Sequence, residues 1–531
     1  MIGFLSDVPQ KQFHWLGALA GGAFSGVLYA FAYPPLRWSL LAWVAFLPLY
    51  LTLRDAGKRQ GGWQGFGFGF ALFLVGANWV NAAGIPPWII LSVIMGTQFA
   101  VFGLIMGTIL PRVSLTYRPL LFACLYTLTE WVRSQGGYAF PWFVGAATQA
   151  HNLLVLQVVS LTGQWGLAFA LALTSAFLGE VWVNRAEKRA MLRWMVATVA
   201  VPAICFVLGG GLLAQENSRQ PLKANQRTVA IVQGSFLEPS PGGDYASEAL
   251  LTYLNLTRSA ILEHGKPFDL LIWPEAVTPD NLLLDNYSLP PLTALAKATE
   301  TSLLIGTTHE ENELRYNSAV LLNRVGEPLG RYDKTHVVPV GEFFPFRPLL
   351  QTIYLQYNVP SRDLAPGRLP NVLTLPRPSG EQDRIGVMIC YDVAFPWDGR
   401  KGVLRGAQYW SQLTADTPFE ATSRPEQHAD LTSVRTVETR RWMIRAALSG
   451  ISQVVDPTGR EVARLPLMAR QTLTHTIELR NDKTLFVRLG DWFIVVCAVI
   501  AVIHLAPHPP RKSDEERQPE SSPIPTSSTS Q

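Results

Sequence analysis

Apolar positions along this chain fall into two regimes. Up to about residue 215 they form long, nearly unbroken runs, rich in glycine and aromatic residues and poor in acids. A helix needs roughly twenty consecutive apolar residues to cross a bilayer core. Eight stretches approach that length: about 14–33, 38–54, 63–83, 88–110, 119–134, 152–181, 192–214 and 487–507. The fifth is the weakest, because Glu130 and Arg133 interrupt it. From about 225 to 485 the runs shorten to strand length and alternate with amphipathic stretches. "TVAIVQG" opens this region after a polar linker, 215–227, and the three-to-four spacing of Leu250, Leu254 and Ile261 predicts a helix. "DLLIW", "SLLIG", "SAVLLN", "IGVMI", "AQYWSQLT", "ISQVV" and "TLTHTIEL" read as strands, and a helix is expected over about 424–448. Several strands are apolar on both faces, which predicts mixed sheets covered by helices on each side.

Loop charge adds an orientation. Lys and Arg concentrate in cytoplasmic loops. Here Lys11, the Arg54–Lys58–Arg59 loop, Arg112 with Arg118, the Arg185–Arg193 loop and Arg511–Lys512 occupy alternate connections, while "NAAGIPP" carries no charge. Eight spans with this alternation put both termini in the cytoplasm and the 228–482 insert on the opposite, periplasmic side. Seven or nine spans would flip the insert. The first run is not read as a signal peptide, since Asp7 flanks it and a second apolar run follows at once. The last residues, 508–531, are polar and read as a disordered cytoplasmic tail. Composition changes the picture little. Among 531 residues, 48% are hydrophobic and the net charge is only +4, with no basic block, so no nucleic-acid surface is expected. Four cysteines without paired spacing argue against a disulfide framework or a zinc site.

Of those cysteines, Cys124, Cys205 and Cys497 lie in long apolar runs, whereas Cys390 ends the strand-like "IGVMI" beside Tyr391 and Asp392. Two more reactive side chains sit near the ends of short runs: Glu275 after "LLIWP", and Lys334 in "GRYDKTHVVPVGEFFPF". Loops at strand ends commonly line the ligand crevice of α/β sheets. A thiol is mostly protonated at neutral pH and needs a base or a cation to become a nucleophile. Glu275 could take its proton, and Lys334 could hold the charge on a tetrahedral intermediate. Spacing alone leaves the plainer readings open: a core cysteine, a capping glutamate and a solvated lysine.

"IWPEAVTP", "YDKTHVVPVGEFFPF" and "ICYDVAFP" resemble the three signature segments of the nitrilase superfamily, whose catalytic set is Glu, Lys and Cys. With "FAYPPLRWSLLAWVAFLPL", "GFGFGFALFLVGANWV", "TEWVRSQGGYAFPWF" and "VVSLTGQWGLAFAL", the chain over about 14–505 resembles the bacterial apolipoprotein N-acyltransferase family. The resemblance implies a polytopic α-helical membrane protein of about eight transmembrane helices with an inserted α/β nitrilase-like αββα sandwich. Helices one to seven would fill 1–214, the catalytic domain 228–482 and the eighth helix 487–507. It implies acyl transfer from a phospholipid, typically phosphatidylethanolamine, through a Cys390 thioester. The acceptor would be the α-amino group of the N-terminal S-diacylglyceryl cysteine of lipoproteins. Glu275 would be the general base and Lys334 the oxyanion holder, in a monomer of the bacterial inner membrane without metal or cofactor. Glu342 matches a family glutamate expected to position Lys334 or the substrate. Tyr391 is expected to pack against acyl or glyceryl groups or within the core. Phe140, Pro141 and Trp142 are expected as interfacial anchors, and Glu130 and Arg133 either as a mutual pair or as functional intramembrane charges. Three departures lie in substrate-facing regions. Asp392 stands where the family reads Glu, "TADTPFE" (414–420) lacks a Trp, and so does "SFLEPSPGGD". A membrane-anchored amidase is the competing enzyme class.

Overall fold

A computed structural model describes residues 10–236, 244–284, 287–345, 347, 362–417 and 419–505. Most of the "SFLEPSPGGD" loop and the whole tail from 508 lie outside the described residues.

Helices occupy all eight apolar stretches: Gln10–Ala30, Leu47–Leu53, Lys58–Gly76, Ile85–Ile109, Arg118–Arg133, Trp165–Val183, Lys188–Asn217 and Trp492–Leu505. Three segments, Ile85–Arg112, Trp165–Val183 and Lys188–Asn217, are long and apolar enough to cross a membrane by length and composition. The others are shorter or carry more polar residues. The expected run over 38–54 is a 3-10 turn, Ser39–Trp43, followed by a seven-residue helix. The run expected over 152–181 breaks into Leu153–Leu156 and Val159–Thr162, and only then does the long helix start at Trp165. The break has a local cause: Gly163 turns at φ +66°, and a side chain there would strike Phe486. Where Lys58–Gly76 crosses Ile85–Ile109, a Cβ on Gly103 would lie 2.0 Å from the carbonyl oxygen of Gly61. Small residues let these backbones touch, as in membrane helix pairs.

Residues 226–478 fold into two stacked sheets. The first contains β1 (Gln226–Gln233), β2 (Leu270–Ile272), β3 (Thr278–Asn281), β4 (Leu303–Glu311), β5 (Leu314–Leu322), β6 (Pro328–Asp333) and β13 (Gln471–Glu478), in the order β13-β1-β2-β4-β5-β6 with β3 beside β4. The second contains β7 (Val372–Pro376), β8 (Gln382–Ile389), β9 (Tyr409–Thr414), β10 (Met443–Ala447), β11 (Gln453–Val455) and β12 (Glu461–Arg464), in the order β12-β11-β10-β9-β8-β7. Parallel and antiparallel pairings occur in both. One apolar cluster, including Ile231, Ile272, Leu304, Leu321, Val387, Leu413 and Ile444, joins their facing sides. Helices Tyr245–His264 and Leu289–Thr299 cover the outer face of the first sheet, and Pro396–Leu404 and Arg424–Thr439 cover that of the second.

The helix expected over 424–448 stops at Thr439. Arg440 takes a left-handed conformation, φ +50°, and the apolar residues beyond it form β10, buried between β9 and β11. Apolar composition alone does not distinguish a buried helix end from a central strand. The outer layer of the second sheet merges with the helical region. Leu431, Val434 and Val437 belong to the same buried cluster as Tyr29, Phe46, Phe68 and Tyr126.

Candidate functional site

Cys390 follows β8, whose last five residues are fully buried. The chain then enters a 3-10 turn, Cys390–Ala394, with Cys390 at φ +48°. Such a conformation costs a non-glycine residue of order 1–3 kcal/mol and is retained where the surroundings enforce it. Asp392 supplies part of that enforcement. Its carboxylate accepts from the Ile389 N–H (3.0 Å), the His336 N–H (2.9 Å) and the Tyr332 hydroxyl (2.8 Å). It therefore ties the cysteine turn to β6 and to the segment after Lys334, and contacts no open space. Burial pushes its pKa up to about 6. The shorter Asp side chain thus meets two backbone N–H donors and the reaching hydroxyl of Tyr332.

The first sheet brings Glu275 and Lys334 to the same place. Glu275 lies beyond β2, above Gly306 of β4, where a Cβ would sit 2.0 Å from the Pro274 carbonyl oxygen. Its Oε1 accepts from Asn317 Nδ2 (2.6 Å) and Lys334 Nζ (3.4 Å), and its Oε2 from the Ala415 N–H (2.5 Å). Cys390 Sγ lies 4.0 Å from the carbonyl oxygen of the same Ala415. Lys334, 1% exposed, follows β6 and places Nζ 2.6 Å from Glu342 Oε1. Glu342 is itself held by the Val338 N–H at 2.8 Å. Burial works against the lysine's charge, but Glu342 and Glu275 outweigh it and hold its pKa well above the usual value. Burial, and then the charge of Glu275, push the Cys390 thiol up to about 11. At rest the sulfur is protonated and the lysine is charged.

Five residues of the site were not assigned from sequence. Asn317 sits in the buried half of β5 and orients Glu275. Asp416, after β9, accepts from Arg424 Nη1 (3.0 Å) and Arg445 Nη2 (3.1 Å), and faces His428 Nδ1 at 3.2 Å. Burial opposes its charge, but Arg445, His428 and Arg424 hold its pKa far below the usual carboxylate range. His428 Nε2 lies 3.0 Å from the Cys390 carbonyl oxygen. Burial and Arg445 push this histidine down to about 4. As the neutral tautomer it donates from Nε2 to that carbonyl, while Nδ1 accepts from Arg445 at 3.2 Å. It braces the backbone of Cys390 and does not face the sulfur. Only the polar "TAD" after a fully buried strand hinted at this network.

Tyr391 does two things. Its hydroxyl donates to the Ala139 carbonyl (3.0 Å), and its ring packs with Phe140, Trp142 and Phe395. One side of it lines a cavity of about 360 Å³ shared with Gly136, Thr335, His336 and Phe343. Trp142, expected as an interfacial anchor, is instead buried beneath the cysteine turn, and its indole N–H donates to Gln427. Glu130 and Arg133 do not pair with each other. Glu130 accepts from Tyr126 and the Gly145 N–H, while Arg133 donates to the carbonyls of Phe140, Trp142 and Phe143. Together they shape the 140–145 loop on which Tyr391 rests. Among the described residues one grouping has metal-ligand character: His336, Asp392 and Asp398. Asp392 takes three hydrogen bonds there, and His336 Nε2 lies 2.7 Å from Asp398 Oδ2 without hydrogen-bond geometry.

Residues 25–177 match the apolipoprotein N-acyltransferase N-terminal domain, and residues 228–481 match the carbon-nitrogen hydrolase family. An apolipoprotein N-acyltransferase of Azotobacter vinelandii is 30% identical over 509 residues, covering 92% of this chain and 94% of its own. One from Geobacter metallireducens is 29% identical over 501 residues, covering 90% and 93%. Among solved structures, Saccharomyces cerevisiae Nit3, a member of branch 10 of the nitrilase superfamily, is 19% identical over 48% of this chain and 90% of its own, with a TM-score of 0.37. Matched along nearly its whole length, the chain belongs to the apolipoprotein N-acyltransferase family, acyltransferases built on a carbon-nitrogen hydrolase domain.

Proposed function

We propose that this chain transfers an acyl group from a membrane phospholipid, typically phosphatidylethanolamine, to the α-amino group of the S-diacylglyceryl cysteine that begins a lipoprotein. Cys390 is the nucleophile, Glu275 its general base and Lys334 the oxyanion holder. In the first half-reaction Glu275 takes the thiol proton as sulfur bonds to the ester carbonyl carbon. The ester C–O bond then breaks, the proton passes to the departing glycerol oxygen, and a thioester remains on Cys390. In the second, the lipoprotein amine attacks the thioester and passes its proton to Glu275, and the C–S bond breaks. A thiol held near pKa 11 suits a base-assisted attack better than a preformed thiolate. A lysine kept charged by two carboxylates suits the oxyanion.

The observation that carries this reading is the convergence of Glu275, Lys334 and Cys390 over an apolar layer continuous with the membrane helices. Lipid tails can then stay in the bilayer while the reactive ends meet the site. The full arrangement is eight spans in the bacterial inner membrane, both termini cytoplasmic, 228–482 periplasmic, acting as a monomer. The arginine-rich alternate loops support that orientation.

Mass spectrometry of the purified protein after exposure to phosphatidylethanolamine tests it. Wild type gains an acyl mass on Cys390 and Cys390→Ala gains none; a diacylglyceryl peptide then discharges the thioester onto its amine. Discharge to water alone would identify a hydrolase instead.

A further inference from the structure

The mechanism above leaves one buried cation beside the sulfur unused. Arg424 begins the helix Arg424–Thr439, its side chain 12% exposed, and its Nη2 lies 3.8 Å from Cys390 Sγ. Nη1 binds Asp416, and the guanidinium carbon stands 4.9 Å from the Phe419 ring centroid and 5.7 Å from that of Trp79. Trp79 belongs to the helical region, so the two parts of the chain jointly hold this group over the nucleophile.

Structural need does not account for it. Asp416 already has Arg445, and one carboxylate requires no second arginine. Burying a cation is costly unless it is paired. Half of this guanidinium fork pairs with Asp416, and the other half faces sulfur. Of the other cations near the thiol, Lys334 is committed to Glu342 and Glu275, and Arg445 to Asp416.

We propose that Arg424 is a further catalytic residue of this transfer, holding the negative charge of sulfur when Cys390 attacks the phospholipid ester and again when it leaves the thioester. The proposal rests on the reading of Cys390 as nucleophile. In the first step the S–H proton goes to Glu275 and the S–C bond forms beside the guanidinium. In the second the C–S bond breaks, the electron pair returns to sulfur facing Arg424, and Glu275 returns the proton.

The charged and titratable groups around the thiol are Glu275, Lys334, Asp416, Arg424 and Arg445, with neutral His428 at the Cys390 carbonyl. An opposite charge within about 4–6 Å moves a pKa by about 1–3 units. The test is the rate of iodoacetamide alkylation of Cys390, followed by peptide mass spectrometry on the full-length detergent-solubilised protein across pH 6–11. For Arg424→Gln and Arg424→Met the rising limb moves up by about one unit or more, and the rate at pH 8 drops about tenfold. Arg424→Lys recovers the rate to within about threefold, since it restores the charge. Thioester formation from phosphatidylethanolamine falls alongside, in kcat rather than KM. Superimposed alkylation profiles for wild type and the uncharged variants would overturn the proposal. A defect confined to a raised KM for the phospholipid would also overturn it, and would assign the guanidinium to the donor's phosphate. If wild type gains no acyl mass from phospholipid, the assignment of Cys390 fails, while the alkylation profile still reports whether Arg424 governs the thiol.

Discussion

The wall of the site built by the first sheet and the wall built by the second hold their charges in opposite ways. On the first, Glu275 and Glu342 share a single ammonium, Lys334. On the second, Arg424 and Arg445 share a single carboxylate, Asp416, with His428 neutral. Cys390 lies between them. The negative wall is where a proton is welcome, and the positive wall is where electron density on sulfur is welcome. Separating the two during thiol ionisation is therefore built into the fold before substrate arrives. Preorganised charge of this kind costs no rearrangement at the moment of reaction.

Removing the base should break the comparison most sharply. Glu275→Gln keeps the shape of the first wall but not its proton acceptor. The single-turnover rate of thioester formation is expected to fall about 10²–10⁴-fold. A loss smaller than tenfold would mean that the proton leaves by another route. Lys334→Met removes the cation that buried Glu275 and part-buried Glu342 share. Acyl transfer falls by about 10²–10³-fold, and the unfolding midpoint in detergent drops, because breaking a buried pair costs about 3–5 kcal/mol.

The second wall is sharpened by acid. His428 folds neutral, with its pKa moved from 6.5 down to about 4. A group whose folded pKa is depressed contributes stability above its unfolded pKa and loses it as the pH falls. Between pH 6.5 and 4 the protein should lose up to about 3 kcal/mol on this account. Thermal unfolding across that range checks it: His428→Gln flattens the slope, and an unchanged slope would place the acid sensitivity elsewhere. The smallest effect is expected at Tyr391→Phe. Losing the hydrogen bond to Ala139 costs about 0.5–1.5 kcal/mol of stability. Thioester formation stays near wild type, since the ring still fills its stack. A large loss of activity would give the hydroxyl a role at the substrate.

How much of this was legible depends on where each residue sits in the chain. Glu275 and Cys390 end apolar runs, and Lys334 lies in a recognisable segment, so strand-exit logic and family resemblance both pointed to them. Asn317 is masked because it interrupts "RYNSAVLL", a strand that reads well without it. Asp416, Arg424, His428 and Arg445 are spread over thirty positions on a loop, a helix and a strand. Nothing in their spacing announces that they converge. Trp142 looked like an interfacial aromatic because local composition is the same for a ring in lipid and a ring under a catalytic turn. The helix expected to reach 448 failed for a related reason: β10 is as apolar as a helix end, and only its pairing with β9 and β11 distinguishes it.

Hydrophobic pattern by itself determined the division into an apolar helical part and an inserted α/β part, the strand endings, and which cysteine stands apart. These follow from local chemistry, the length of apolar runs and the groups at their ends. Tertiary structure alone decided that Asp392 braces the cysteine turn, that Glu130 and Arg133 hold a loop and not each other, and that a positive wall faces the sulfur. Each depends on how the chain folds back on itself, from a few residues away in the 140–145 loop to some sixty for Asp392. The energy of a buried charge is set by what surrounds it in space, and the order of residues along the chain does not record that.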